Sequence, residues 1–184
     1  MITSILSFFG CGKKASENNI KSILNEEILN KTSDEKLLET VYENVVKKLS
    51  KNSDEEYESL MKLSKSEQAI YIIWALEGEV NNGGYNQFYF NSSGKFAELT
   101  PNALKLIGAT KFAELTEKAN RIYETENDKI TKHQDGTIEG FSKSYDENPL
   151  NELDDEFYKL YDKENLQNLQ IEYIRKNKND FIDK

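Results

Sequence analysis

Residues 80–94 read VNNGGYNQFYFNSSG, a composition that neither helix amphipathicity nor simple solubility explains. Four Asn, three Gly and four aromatic residues share these fifteen positions. The Asn and Gly residues favour the left-handed backbone conformations that end a helix. The aromatic residues that follow are typical of a chain that turns back into a core. We therefore expect the fold to be organised around this stretch, which we call the central motif.

The residues before the central motif have the most hydrophobic helical pattern of the chain. Ser64 and Glu67 have the spacing of a capping box, which predicts a helix start. From residue 68 to residue 80, apolar side chains lie nearly all round the predicted helix. This pattern predicts a buried central helix that ends at Gly83 and Gly84.

Helical periodicity also dominates the rest of the chain, and only two Pro and nine Gly interrupt its 184 residues. The sequence predicts an all-α, single-domain irregular bundle of about seven to eight helices. We assign residues 20–184 to this domain and residues 1–19 to a flexible N-terminal arm. Periodicity fails over residues 127–151, which predicts one long acidic loop.

Two interpretations of the central motif are open. Its amides could line a pocket for a polar ligand. Alternatively, Gly83 and Gly84 permit a close approach, Phe88 and Phe90 enter the core, and the amides satisfy buried backbone groups at an irregular turn. The second interpretation is favoured. The residues that either define the fold or line a pocket are Asn82, Gly83, Gly84, Asn86, Gln87, Phe88, Phe90, Asn91 and Gly94.

Acidic residues give the chain a net charge of −9. Residues 124–164 carry thirteen acidic and five basic residues, and residues 53–82 carry seven acidic and two basic residues. Such a field repels nucleic acid phosphates, which argues against direct DNA or RNA binding. A basic protein is the natural complement, whereas the simpler interpretation is a surface that keeps the protein soluble.

The acids form two sets in the sequence. A row of carboxylates could imitate a row of phosphates and bind the Lys and Arg residues of a partner; the alternative is a solvated loop with ordinary helix-start acids. The first acidic set comprises Asp54, Glu55, Glu56 and Glu58. The second acidic set comprises Asp146, Glu147, Glu152, Asp154, Asp155 and Glu156.

The sequence gives little support for a metal site or for a catalytic site. Cys11 is the only cysteine and His133 the only histidine, which argues against a Cys/His zinc site. The acids lack the alternation of a calcium loop. His133 lies in a polar context typical of a solvent-exposed residue rather than of a general base. We predict no catalytic residue, no metal and no cofactor, and therefore a protein that is not an enzyme.

The N-terminal sequence MITSILSFFGCGKK has some features of a bacterial lipoprotein signal, in which Cys11 would be acylated. No basic residue precedes its short apolar run, and Phe8 and Phe9 are bulky for a cleavage site. No stretch approaches the roughly 20 apolar residues of a membrane span. We expect a cytoplasmic protein without membrane contact, with a lipoprotein acylated at Cys11 as the minor alternative.

The central motif, its preceding Glu79 and the later segment LKLIGA at residues 104–109 resemble a bacterial DNA-mimic-protein-like domain family. Much of this family is catalogued as a domain of unknown function. A weaker similarity is the segment LDDEFY at residues 153–158. The resemblance covers roughly residues 35–178.

This resemblance implies an all-helical domain that forms a homodimer, and a named member that uses surface carboxylates to imitate DNA and occupy a transcription factor. The sequence and the resemblance together predict a non-enzymatic acidic interaction domain that occupies the basic surface of a DNA-binding protein or nuclease. The alternatives are an immunity protein that neutralises a toxin, and a small-molecule or peptide-binding domain that uses residues 82–91.

Overall fold

The computed structural model of the protein describes residues 23–183. Within this range there are ten α-helices, three short 3₁₀ helices and no β-strand, which confirms the predicted all-α, single-domain fold with a slightly higher helix count. The α-helices are α1 (Glu26–Lys31), α2 (Asp34–Lys48), α3 (Glu56–Met61), α4 (Lys65–Phe90), α5 (Thr100–Leu106), α6 (Thr110–Thr125), α7 (Asn127–Ile130), α8 (Ile138–Lys143), α9 (Asn151–Leu160) and α10 (Leu166–Lys176). The 3₁₀ helices are Ser53–Glu55, Ser92–Phe96 and Lys178–Asp180.

Helix α4 begins with the predicted capping box. The backbone N–H of Glu67 donates to Ser64 Oγ at 3.1 Å, and the backbone N–H of Ser64 donates to Glu67 Oε2 at 2.9 Å. These two hydrogen bonds satisfy N–H groups that lack partners within the first turn of a helix. The start of the central helix could therefore be predicted from local sequence.

Helix α4 lies between two hydrophobic clusters and contributes to both. Its Ile70 is buried in the smaller cluster, with residues of α1, α2 and α10. Its Ile73 and Leu76 are buried in the larger cluster, which also contains Phe112 of α6 and Phe157 of α9. Because apolar residues surround α4 on several sides, it is the central helix of the bundle.

The prediction of one long loop at residues 127–151 is wrong. This segment contains α7 and α8. Ile130 at the end of α7 is almost fully buried, and the side chain of Thr137 caps α8 by accepting a hydrogen bond from the N–H of Gly140 at 2.9 Å. These short helices were not predicted because the segment is polar and shows no helical periodicity. Their stability depends on packing against the rest of the protein.

The predicted N-terminal arm at residues 1–19 and the lipidation alternative at Cys11 lie outside the described residues. No helix within residues 23–183 combines the length and the apolar character required to cross a bilayer.

Candidate functional site

The central motif contains a break in α4. Gly83 has φ −159° and ψ 30°, and Gly84 has φ +69° and ψ −176°, so the helix stops at residue 82 and resumes at residue 85. Backbone groups at the break bond to side chains from the segment after α8 and from α9. Tyr158 Oη donates to the carbonyl of Val80 at 2.8 Å, and Tyr145 Oη donates to the carbonyl of Gly83 at 2.7 Å.

Asp154 on α9 occupies the other side of the break. Its Oδ1 accepts a hydrogen bond from the backbone N–H of Tyr85 at 2.7 Å. A Cβ atom at Gly84 would lie only 2.1 Å from Asp154 Oδ2, so the close approach of α9 requires glycine there. Burial raises the pKa of Asp154 to about 6; the Tyr85 N–H opposes this rise, and the charge of Asp155 adds to it.

Asn86 is fully buried and joins the second half of α4 to the segment after α8. Its Nδ2 donates to Ser144 Oγ at 2.7 Å, and its Oδ1 accepts from Asn148 Nδ2 at 3.0 Å. The backbone N–H of Leu150 donates to Asn148 Oδ1 at 3.0 Å. Asn86 therefore belongs to an internal polar network that fixes the turn before α9.

Two other amides of the central motif, Gln87 and Asn91, bond to Glu79. Its Oε2 accepts from Gln87 Nε2 at 2.7 Å and from Asn91 Nδ2 at 2.8 Å. Its Oε1 accepts from Ser93 Oγ at 3.0 Å, and Asn82 Nδ2 donates to Gln87 Oε1 at 2.9 Å. Both carboxylate oxygens of Glu79 and both polar atoms of Gln87 thus bond within the protein.

The aromatic residues divide between the core and the surface. Tyr85 and Phe88 are fully buried, and Tyr89 is nearly so. Phe90 is 36% exposed and lies against Phe141 of α8, with their ring centroids 4.9 Å apart. The prediction that Phe90 enters the core is wrong, because this side chain lies on the outer face of the six-residue helical segment that follows the break.

Gly94 lies where the chain passes close to the end of α4. A Cβ atom at this position would lie 2.8 Å from the carbonyl oxygen of Tyr89. Like Gly84, Gly94 permits a close approach of chain segments, as the structural interpretation of the central motif expects.

Two open surface cavities in the described part of the chain have no lining residue from the central motif. One, of about 480 Å³, lies beside Lys48, Ser64 and Asp180. The other, of about 350 Å³, lies beside His133 and Lys143. Together with the internal hydrogen bonds of the amides, this location favours a structural role for the central motif.

The first acidic set is partly engaged with neighbouring side chains. The carboxylate of Glu56 accepts from the hydroxyl of Tyr71 and pairs with Lys95 Nζ at 2.5 Å. Glu55 Oε2 accepts from Ser50 Oγ at 2.9 Å. Asp54 and Glu58 are exposed. Only part of this set is therefore free to bind a partner.

The second acidic set has two engaged members and four open ones. Asp154 lies in the break of α4, and Glu156 pairs with Lys118 at 2.9 Å. The other four are exposed, and no side-chain nitrogen of a Lys, Arg or His in residues 23–183 lies within 4.0 Å of their carboxylates. These four open acids are Asp146, Glu147, Glu152 and Asp155.

Sequence reasoning missed several residues that complete the site. Glu79 was assigned to the buried helix, although an acid two turns before Gln87 could have suggested a contact across a break. Ser144, Tyr145 and Asn148 lay in the predicted loop, and no local signal identified them. Their contacts with the central motif join residues about 60 positions apart, such as Asn86 and Asn148 with a separation of 62.

No group of three or more His, Cys, Asp or Glu side chains in the described part of the chain could hold a metal ion. A family model described as DMP19-like protein matches residues 61–177. Neither the curated proteins nor the solved structures contain a match. The matched range begins just before α4 and ends just after α10, so it includes the break and the second acidic set.

Proposed function

Because the chain belongs to the DMP19-like protein family, we propose that it is a non-enzymatic acidic protein that occupies the basic surface of a DNA-binding protein or nuclease. The proposal places it in the cytoplasm as a homodimer, as the sequence analysis expected. The observation that carries the proposal is the presence of four open acids in the second acidic set, on and just before α9.

The open acids favour association with a basic partner because none of them forms an ion pair within residues 23–183, in contrast to two other acids of this part of the chain. Glu139 pairs with Lys143 at 2.8 Å, and Glu156 pairs with Lys118. Surface ion pairs of this kind reduce the field that a partner experiences, whereas unpaired carboxylates retain it. A basic protein would therefore be attracted to the four open acids at low ionic strength.

The spacing of the acids along α9 suits a protein surface that binds DNA. Glu152 and Asp155 are three residues apart in a regular helix, which separates them by about 4.5 Å along its axis. One strand of DNA presents a charge about every 3.4 Å along its axis. The axial spacing of this one pair of acids is therefore close to the spacing of charges along a single DNA strand.

A charge-neutralised variant tests the proposal. In it, Asp146 and Asp155 become Asn, and Glu147 and Glu152 become Gln. The immobilised wild-type protein should retain basic proteins from a lysate of the native host at low salt, and the variant should retain much less. A retained protein should also lose its DNA when wild-type protein is added, as measured by gel mobility shift.

The control removes the same charge elsewhere, at exposed acids spread over the rest of the surface. The control variant should retain the same proteins as the wild type if the position of the acids, rather than the net charge of the protein, determines binding. The control substitutions are Glu35→Gln, Glu98→Gln, Glu114→Gln and Asp128→Asn, at exposed acids that form no ion pair within residues 23–183. Equal retention by the wild type and the neutralised variant would contradict the proposal, as would retention that does not decrease at high salt.

The immunity alternative uses the same surface with a nuclease toxin as the partner. Rescue of cells that express such a toxin would identify this case, and the neutralised variant should fail to rescue. The ligand-binding alternative receives less support, because the polar atoms of Asn86 and Gln87 are already bonded to other residues of the protein.

A further inference from the structure

Gly78 lies in the regular first half of α4, yet the fold has no use for a glycine there. The residue is exposed, and a Cβ atom at this position would meet nothing within 4 Å outside the helix backbone. Its backbone is helical, so no unusual torsion angle requires glycine. Glycine in the middle of a helix is less favourable than alanine. The free space above Gly78 therefore suggests a close approach by something outside the chain.

Aromatic side chains lie on the same face of α4. Tyr71, Trp74 and Gly78 follow one another at spacings of three and four residues, and Ala75 lies four residues after Tyr71 and three before Gly78, which places all four on one side of the helix. Tyr71, Trp74 and Ala75 are half-buried, in contrast to the fully buried Ile73 and Leu76 of the opposite face. This face is therefore a shallow apolar surface in contact with solvent.

Tyr42 of α2 extends this surface. Its ring stacks on Trp74 with a centroid distance of 4.3 Å and an interplanar angle of 12°, and on Tyr71 at 5.8 Å and 13°. Tyr42 is itself half-buried. We call the residues Tyr42, Tyr71, Trp74, Ala75 and Gly78 the Trp74 surface.

Carboxylates border the Trp74 surface. Glu56 accepts a hydrogen bond from the hydroxyl of Tyr71. Burial raises the pKa of Tyr42, and the charge of Glu56 adds to this rise. Lys95 pairs with Glu56 and offsets part of this charge. On α2, the exposed Glu39 lies three residues before Tyr42, on the same side of the helix. The adjacent Glu43 pairs with Lys47 at 4.0 Å, so Glu39 is the bordering acid of α2 that has no ion pair within residues 23–183. Aromatic faces beside negative charge favour a cation, and a guanidinium group can stack as well as pair.

We propose that the Trp74 surface binds an arginine-rich segment of the basic partner, with an arginine side chain against Trp74 and Tyr42 and the partner's backbone over Gly78. The inference rests on the proposed function, because it takes the partner to be basic. It adds a second contact surface, separate from the open acids of the second acidic set. Gly78 is the position where any longer side chain would occupy the space of that segment.

The test uses a nine-residue peptide of alternating Arg and Gly as the probe. Trp74 is the single tryptophan of the chain, so its fluorescence reports binding at this surface directly. The full-length wild-type protein is titrated at low salt, and binding is measured in parallel by anisotropy of a fluorescein-labelled peptide. We expect a change in Trp74 emission that follows the anisotropy, and weaker binding of a peptide with Gln in place of Arg.

Two substitutions of Gly78 distinguish an effect on peptide binding from an effect on folding. Gly78→Gln places a long, neutral side chain in the free space and should weaken the peptide affinity at least about tenfold, the effect of a typical hot-spot position. Gly78→Ala adds one methyl group and should weaken it much less. Both should melt at or above the wild-type temperature, because Gln and Ala favour a helix more than Gly does. Asn102→Gln, at an exposed position of α5, controls for an added methylene group.

The outcomes distinguish this inference from the proposed function. Unchanged affinity in Gly78→Gln, or an unresponsive Trp74 while anisotropy reports binding, would overturn the Trp74 surface and leave the open acids as the binding site. Loss of affinity in Gly78→Gln, with full affinity in the charge-neutralised variant, would support the Trp74 surface and contradict the role of the open acids. No peptide binding to the wild type at low salt would count against both.

Discussion

The stretch of α4 around Gly78 and the stretch around Gly84 differ in what surrounds the glycine. Gly84 has φ +69° and lies against the carboxylate of Asp154, in a break whose backbone groups bond to α9 and to the segment after α8. Gly78 has helical torsion angles and open space above it. One glycine is therefore required by the fold, whereas neither backbone torsion nor packing requires the other.

The largest effect is expected from Gly84→Ala, which should lower the free energy of unfolding by about 3 kcal/mol or more. The torsion angles of Gly84 lie in a region that is nearly exclusive to glycine, and a Cβ atom would also displace Asp154. Urea denaturation followed by circular dichroism measures this loss. A loss below about 1 kcal/mol would show that the break adapts easily, against the required role of Gly84.

Asn86→Ala should lower the free energy of unfolding by a smaller amount, about 2 kcal/mol. This change leaves Ser144 and Asn148 as buried polar groups with fewer hydrogen bonds. Asn82→Ala is the matched control, because Asn82 has the same side chain in the same motif but is exposed. It should cost less than about 0.5 kcal/mol. Equal losses in the two variants would mean that the buried network contributes nothing specific.

The pKa of Asp154, raised to about 6, predicts a pH dependence of stability. Because the folded protein holds this proton more tightly than the unfolded chain, the contribution of Asp154 to stability decreases as pH rises from about 4 to about 6, and stays low above that. Asp154→Asn removes this decrease, since an amide does not titrate. Its stability relative to the wild type should therefore rise by about 1 kcal/mol between pH 4 and pH 7, after allowance for the partial exposure of Asp154.

Urea denaturation at both pH values measures this difference. Glu152→Gln, at an exposed position of the same helix, is the control and should show little change between the two pH values. A relative stability of Asp154→Asn that is constant with pH would contradict the burial of the Asp154 carboxylate at the break.

The smallest change in the free energy of unfolding is expected from Gly78→Ala, which should stabilise the protein, whereas the preceding glycine and asparagine substitutions destabilise it. This substitution should raise the free energy of unfolding by about 0.5 to 1 kcal/mol, because alanine is favoured in a helix and its methyl group enters open space. Thermal melting together with urea denaturation would measure it. A destabilised Gly78→Ala variant would show that the fold does need glycine there, which would remove the contrast with Gly84.

Local sequence patterns predicted the features that depend on neighbouring residues. The capping box of Ser64 and Glu67, the buried central helix and its interruption at Gly83 and Gly84 depend on residues close in sequence. The helix was predicted to end at these glycines, whereas it resumes at residue 85 and continues to Phe90. The resemblance to a DNA-mimic-protein-like family was confirmed by the match to the DMP19-like protein family. These features were predictable because helix caps, apolar periodicity and glycine conformation are local properties.

The features that failed depend on distant contacts. Phe90 was assigned to the core, and no contact of Asp154 within the protein was predicted. Phe90 is instead partly exposed, and Asp154 bonds to the backbone of Tyr85, 69 residues away. Similarly, α7 replaced part of a predicted loop because Ile130 is buried against the rest of the protein. Sequence periodicity over a few helical turns cannot predict such contacts, because the residues that make them are far apart in the sequence.

The sequence by itself determined the helical class, the position of the central helix, the position of its break and the acidic character of the chain. Only the tertiary structure decided which acids remain open and which are engaged inside the protein. The physical reason is that a carboxylate such as Asp154 or Glu79 acquires its role from the donors that folding brings to it. In the same way, Gly78 and Gly84 are chemically identical in the sequence, and only their surroundings distinguish them.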